Sequence, residues 1–439
     1  MSDTILEILQ FAKENDVKFI HLAFCDLFGI PKSISIMPEE LTRAFRHGIS
    51  FDASAIQGFG TIECSDLFLM PDSSAVSVLP WRSPYEQVMR IFCDVKRPDG
   101  SDFTSDSRYI LKQAVNRCAD MGYVCQIGTE GEFYLFQNDA DGNPTTIPFD
   151  QAGYGDTFPL DKGEDLRREI CLTLEGMDIR PETSHHERGP GQNEVDFRYS
   201  DALTAADNFL SFKSVVKSVA AQNGLYASFL PKPLLTRSGS GLHINISLSQ
   251  GDRNLFQMAP QHSPRAESFI AGILHHIREI TVFLNPLTNS YRRLGAFEAP
   301  GYITWSHQNR SQLIRIPASF GEYQRMELRS ADSACNPYLA FALLIHAGLD
   351  GIEQEMVLPE ACNQNLYENA AYAKEQNIQS LPQSLAEALE AAQDSAFVKR
   401  ILPEDVRATY FSEKRKEWES YRQAEDSHQF EMSSFFHLI

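Results

Sequence analysis

The stretch Ile127 to Phe136, IGTEGEFYLF, sets Glu130 and Glu132 two residues apart among β-branched and aromatic neighbours. That spacing puts both carboxylates on one face of a strand. Three further stretches repeat the design. In SHHERGPGQNEVDF, Ser184 to Phe197, the acids Glu187, Glu194 and Asp196 sit among alternating apolar residues, with Val195 and Phe197 on the opposite face. LHINISL, Leu242 to Leu248, carries His243, Asn245 and Ser247 on one side and an unbroken apolar row on the other, the pattern of a half-buried strand. RMELR, Arg325 to Arg329, places Glu327 between two arginines with Met326 and Leu328 behind.

Carboxylates gathered in this way would repel one another and be driven to bind protons unless cations sat among them. Two divalent ions supply that charge. Oxygen-rich ligation with a single histidine suits hard ions such as magnesium or manganese rather than a thiolate-bound zinc. The competing reading is that the acids belong to unrelated, solvated strand faces.

Between the third and fourth stretches lie Arg292, Arg293, Arg310 and Arg315, and Arg325 and Arg329 follow closely. Guanidinium forks grip phosphate and carboxylate in bidentate fashion, so arginines beside a two-metal acidic site suit phosphoryl transfer from a nucleotide. SGSG, Ser238 to Gly241, lacks the phosphate-loop pattern and precedes a strand rather than a helix. Its glycines are read either as allowing close backbone approach to a ligand or as a turn.

The elements that must position these residues follow from periodicity and punctuation. The N-terminus reads as a capped amphipathic helix with Ile5, Ile8, Leu9 and Ala12 on one face, without the features of an export signal. Strands are expected over VKFIHLAFCD and SISIM, a turn over LFGIPK, and a helix from Pro38 that Gly48 can end. Strands near Ala75–Leu79 and Gln87–Val95 complete a small unit. The polar stretch Lys96 to Asp106 is the expected boundary, dividing the chain into residues 1–102 and 103–439. Helices are expected from Ser107 to a stop at Gly122, near Glu164–Leu174, over Ala202–Asn223, from about Pro264 to Phe283, and through most of the last hundred residues. Strands dominate the site and helices back it, which makes the fold class α+β.

Composition excludes several functions. With 439 residues and 43% hydrophobic content the chain can bury a large core. A formal charge of −20 and a pI near 5.0 oppose nucleic acid or an anionic membrane as partner. The eight cysteines are scattered, form no close CxxC pair and read as reduced. No apolar run approaches membrane-spanning length, so the cytoplasm is the expected compartment.

TEGEFYLF, HHERGPGQNEVDF, PKPLLTRSGSGLH, NSYRRL, EAPGYITWSHQNRSQLIRIP and ELRSADSACNPYLAFA occur in this order. Together they resemble bacterial glutamine synthetase, type I, nearly end to end, and in length the chain looks like the subclass without adenylylation control. The resemblance implies an N-terminal β-grasp domain and a catalytic domain related to guanidino kinases, with an antiparallel, strand-lined funnel. It also implies two stacked six-membered rings with active sites between neighbouring subunits. The activity implied is ATP-dependent ligation of glutamate and ammonia through γ-glutamyl phosphate.

Motif by motif, the resemblance assigns Glu132, Glu187 and Glu194 to one metal, and Glu130, His243 and Glu327 to the other. Arg310, Arg315 and Arg329 match residues that bind phosphate, and Arg293 one that holds the glutamate α-carboxylate, beside Gly239. Asp52 matches the carboxylate that deprotonates ammonium, and Glu298 a flap glutamate that shields the intermediate. Ser247, Asn245 and Arg325 fall in the nucleotide site. Tyr154 matches an ammonium-pocket tyrosine, and Tyr367 reads as structural.

Several departures fall around the substrate. FDGSS becomes FDASA over Phe51–Ala55, the flap GAFEAP is one residue shorter with Phe297 for tyrosine, DNGSG becomes RSGSG, and Asn245 replaces a usual histidine. Two alternatives follow: a γ-glutamyl ligase using methylamine, a polyamine or another amine, and a catalytically silent assembly or regulatory protein on the same fold.

Overall fold

The computed structural model describes residues 3–80, 87–257 and 263–439. The first hundred residues build a five-stranded sheet from β1 (Phe19–Cys25), β2 (Pro31–Ile36), β3 (Ile49–Asp52), β4 (Asp66–Val78) and β5 (Val88–Lys96), in the order β2-β1-β5-β4-β3. β1 and β5 run parallel, and the other neighbours are antiparallel. Helices α1 (Asp3–Glu14) and α2 (Leu41–His47) seal one face, where Ile8, Ala12, Leu41 and Ala44 pack with Ile20, Leu22, Met89 and Ile91. Alternate residues of the same strands, Ala23, Cys25, Val88 and Phe92, join the main core instead. Gly48 ends α2 at φ 71°, its N–H on the Ala44 carbonyl. Whatever caps α1 lies outside the described residues.

Two boundaries differ from expectation. β4 begins at Asp66 rather than near Ala75, and β3 was not anticipated. Pro71 and the polar residues after it are poor strand formers, but a register shift between Pro71 and Val76 absorbs them as a bulge. β2 starts at Pro31, inside the expected turn; because β2 is an edge strand, the missing N–H costs no ladder bond.

The stretch 96–106 is pinned rather than loose. Asp106 accepts from the Val95 N–H at 3.2 Å and from the Arg108 N–H at 3.0 Å, capping α3 (Ser107–Asp120). Buried Arg108 then reaches Asp72 at 2.9 Å, Asp94 at 2.6 Å and Asp207 at 2.9 Å, tying the first sheet to the helices behind the second.

The second sheet has eleven strands among the described residues. They are β6 (Val124–Asn138), β7 (Pro144–Pro148), β8 (Pro181–His186), β9 (Gln192–Phe197), β10 (Ser200–Asp201), β11 (Leu225–Ser228), β12 (Leu242–Gln250), β13 (Arg253–Asn254), β14 (Trp305–His307), β15 (Ile314–Ile316) and β16 (Met326–Leu328). The main path runs β14-β15-β16-β12-β6-β9-β8. Helices α4 (Glu164–Glu175), α5 (Ala202–Gln222), α6 (Pro264–Leu284) and α7 (Pro337–Glu353) supply the packing, and α8 (Ala370–Glu375), α9 (Leu385–Gln393), α10 (Ala396–Ile401), α11 (Glu404–Gln423) and α12 (Ser427–Phe435) fill the C-terminal region. Phe212 of α5 lies 4.9 Å from Phe197 and 6.0 Å from Phe133, ring to ring. Gly131 faces the same helix: a Cβ there would stand 2.5 Å from the Phe212 ring. Apolar burial thus fixes which face of β6 is inward and turns Glu130 and Glu132 to the other.

Among the described residues no helix is long and apolar enough to cross a membrane.

Candidate active site

Strand register assembles the site. On β6, Glu130 stands opposite His243 of β12 and Asp196 of β9, and Glu132 stands opposite Glu194. On β16, Glu327 stands opposite Asn245 of β12 and Arg315 of β15. Directly opposed residues carry Cβ atoms about 4.5–5.5 Å apart, so segments distant in the chain place their acids, imidazole and guanidinium side by side.

Of the residues singled out in the sequence, Glu130, Glu132, Glu187, Glu194, His243, Tyr154, Gly239, Arg293, Glu298, Arg310, Arg315, Arg325 and Arg329 line one cavity of about 830 Å³. Glu327 lies just beneath its floor, 1% exposed. Asn245 and Ser247 line an adjoining pocket of about 200 Å³ that shares Glu130, Asp196 and Arg325 with the first. Asp52 lines neither. It is exposed on the edge strand β3 and accepts from the Ser54 N–H at 3.0 Å and hydroxyl at 2.6 Å. Arg292 turns away to Glu431 at 2.6 Å.

The floor holds two donor groups, bridged by a third made of Glu130, Glu194 and Asp196. In the first, the ligand atoms of Glu130, His243 and Glu327 all lie within 4.8 Å of one another. His243 Nδ1 sits 3.0 Å from Glu130 Oε2, and Asn245 donates to Glu130 Oε1 at 2.8 Å. Glu327 takes Arg315 on one oxygen and Arg329 on the other. In the second, His185, Glu187 and Glu194 cluster within the same limit. Glu132 stands between the groups: His243 Nε2 is 3.9 Å away, and its Oε2 accepts from the Gly241 N–H at 2.6 Å and from Gln192 at 3.3 Å.

Electrostatics separates the acids. Burial alone would raise all of them, but the His243 and Asn245 hydrogen bonds bring Glu130 down to about 2, and Arg329 and His243 hold Glu327 low. Glu194 is pushed well up by burial and then by the charges of Glu132, Asp196 and Glu130. Asp196 rises through burial and Glu130, and Glu132 through burial and Glu187. Buried acids that crowd one another in this way are the electrostatic setting that a bound divalent cation relieves, and the donor set of carboxylates with one imidazole per group fits a hard ion. A fourth cluster, Asp150, Asp161 and His186, is different. Asp150 accepts from Gly191, Lys162 and His186, and Asp161 pairs with Arg167, so donors already saturate it and it braces the β8–β9 hairpin.

Gly239, which lines the cavity, and Gly241 carry a further constraint that the sequence alone did not show. A Cβ on Gly239 would meet Arg293 Cγ at 2.9 Å, and one on Gly241 would meet Arg293 Nη2 at 2.3 Å; the missing side chains seat Arg293, which donates to the Ser330 and Arg329 carbonyls. Several site residues carried no role in the sequence reading. His185 and Gln192 lie in the quoted hairpin motif, where the alternation of β8 was the available signal. Arg188, Ser238 and Tyr367 reach the rim from turns, which have no period to read. Tyr367, expected to be structural, lines the cavity and donates to the Glu298 and Arg310 carbonyls.

Residues 104–433 match the family model for the glutamine synthetase catalytic domain, and residues 16–98 that for the glutamine synthetase beta-Grasp domain. The glutamine synthetase of Methanosarcina mazei is 47% identical, the match covering 99% of this chain and 98% of that protein. The Clostridium saccharobutylicum glutamine synthetase is 43% identical over 95% of both chains. A solved structure described as "GmaS/ADP complex-Conformation 1" superposes with a TM-score of 0.87 at 30% identity, covering 100% of each chain, and "Apo GmaS without ligand" does so at the same score and identity. With a β-grasp sheet, a strand-lined acidic cavity and full-length likeness all in agreement, the chain belongs to the glutamine synthetase family.

Proposed function

We propose that this ligase joins glutamate and ammonia at the expense of ATP, through γ-glutamyl phosphate, in the 830 Å³ cavity. The observation that carries the reading is the convergence, on one sheet face, of two acidic donor groups with Arg293, Arg315 and Arg329. Glu132, Glu187 and Glu194, with His185 beside Glu187 at 3.1 Å, would hold one divalent ion, magnesium or manganese, and Glu130, His243 and Glu327 a second. Bound there, such ions neutralise the phosphate oxygens of ATP and orient its terminal phosphoryl group.

The chain's own side chains do the rest. Arg293, fixed by two backbone carbonyls, presents its guanidinium to the α-carboxylate of glutamate. The γ-carboxylate then attacks the terminal phosphorus of ATP, releasing ADP. Arg310, Arg315 and Arg329 offset the negative charge that spreads over the transferred group. Ser247, Asn245 and Arg325 border the side pocket and take the nucleotide; the relative described with ADP supports a nucleotide product in this fold. Ammonia attacks the acyl carbon and expels phosphate, with Tyr154 at the entrance and Glu298 shielding the mixed anhydride from water. Asp52 lies outside the cavity of its own chain, which supports its supply to the site of a neighbouring copy, where it would take the proton of ammonium.

A second reading, ligation of a larger amine, is favoured by the exposed Tyr154 at the entrance and by Phe297 on the flap. Phosphate release measured with glutamate, ATP and a panel of ammonia, methylamine and polyamines separates the two. Turnover with ammonia at the lowest concentration is expected; turnover with an amine but none with ammonia refutes the first reading in favour of the second.

A further inference from the structure

The flap residue Glu298 is held from three segments at once. Its Oε1 faces Arg188 Nη1 at 3.1 Å, and its Oε2 accepts from the Ser238 hydroxyl at 2.9 Å. Its backbone carbonyl accepts from Tyr367. Beside it, the Phe297 ring lies 3.9 Å over the ammonium of Lys232, which is itself buried and donates to the Arg237 carbonyl. The loop closes on a glycine pair: Gly295 has φ 74°, its N–H bonds the Pro300 carbonyl, and a Cβ on Gly301 would touch Gly295 Cα at 3.0 Å. Two glycines back to back make a hinge that pivots with little steric resistance. Backbone bonds hold the base of the loop, among them the Leu381 N–H on the Gly301 carbonyl at 2.9 Å, so the Glu298 carboxylate itself is fixed by the side-chain contacts beyond the hinge.

Arg188 is placed to connect two parts of the reaction. It follows Glu187 directly, and its own N–H donates to Glu187 Oε2 at 2.9 Å while its guanidinium reaches the flap. We propose that Arg188 and Ser238 are positioning residues that latch the Glu298 carboxylate over the cavity and so set how long the acyl phosphate stays shielded from water before an amine arrives. The proposal rests on the ligase reading above. Water attacking in place of the amine returns glutamate and inorganic phosphate, so a loose latch appears as phosphate released without amide formed.

The test compares R188A, R188K, S238A and the R188A/S238A pair with the wild type, by two readouts. The first is hydrogen exchange of the flap amides, residues 294–301, which needs no turnover. R188A is expected to speed it about two- to fivefold, the range set by a partly exposed ion pair, S238A less, and the pair most, while exchange in β6 stays unchanged and R188K returns part of the protection. The second is the ratio of phosphate to amide at limiting amine, expected to rise in the same order together with the KM for the amine. Flap exchange in R188A/S238A equal to wild type overturns the latch. Wild-type protein that releases no phosphate with any amine overturns the ligase reading instead, and the latch then stands or falls on exchange alone.

Discussion

Glu327 and Glu298 serve the same cavity and are held in opposite ways. Glu327 is 1% exposed, sits on a strand with a core behind it, and carries a guanidinium on each oxygen. Glu298 is on a loop, its side chain 38% exposed, and its partner Arg188 is 62% exposed. The floor is set by ladder register and apolar packing, which cannot shift one residue without turning every acid to the wrong face. The rim is set by contacts that water can replace. Fixed charge thus belongs to the floor, and replaceable contacts to the rim. Of the departures from the resembled motifs, Phe297 and Ser238 lie at the rim, whereas Asn245 lies on the floor and donates to Glu130.

The sharpest way to break this contrast is E327A. Removing one partner of a buried ionic group leaves the other charges uncompensated, and here Arg315 and Arg329 both lose theirs. Roughly 3–5 kcal/mol of stability should disappear in denaturant unfolding, together with all turnover. A loss below about 1 kcal/mol would put the floor in the same class as an exposed ion pair. Smaller, and more diagnostic of packing, is G131A. The added methyl would meet the Phe212 ring at 2.5 Å, so either β6 or α5 must move, at a cost of about 1–3 kcal/mol. Activity should fall with stability, because Glu130 and Glu132 flank the displaced residue. The double variant G131A/F212L should regain much of both, and failure to do so would detach the acids' placement from the core.

The same contrast explains what could be read in advance. The face of β6, β12 and β16 that bears the acids was legible because period-two alternation is imposed by burial, and burial is what fixes those strands. Register was not legible, since nothing in LHINISL says that His243 will face Glu130 rather than Glu132; long-range packing decides it. The rim resisted for another reason. Arg188, Ser238 and Tyr367 act through single side chains on turns, where local pattern carries no information about a partner tens of residues away. Gly239 and Gly241 were visible as glycines, but their reason, room for Arg293, lies more than fifty residues downstream. In the first sheet, Pro71 hid the true length of β4, because a bulge can accept what a regular strand rejects.

The smallest expected effect separates a third kind of carboxylate. Asp72 joins the first sheet to α3; burial would raise its pKa, but the Ser74 hydrogen bonds and the charges of Arg108 and Lys112 hold it well below the ordinary carboxylate range. A depressed folded-state value stabilises the protein above the unfolded value of 3.8 and is lost as pH falls from there toward the folded one. Glu194 has the opposite sign: its raised value means the folded state, free of metal, gains stability as acid protonates it. Urea unfolding in a chelator from pH 7 down to pH 3 should therefore show D72N about 1 kcal/mol less stable than wild type at neutral pH, with the difference closing in acid. E194Q should be the more stable protein at neutral pH, with that difference also closing in acid, and adding manganese should favour the wild type. Parallel curves for the two variants would mean that crowding on the floor leaves no trace in stability, and that junction and floor are held by the same balance of charge.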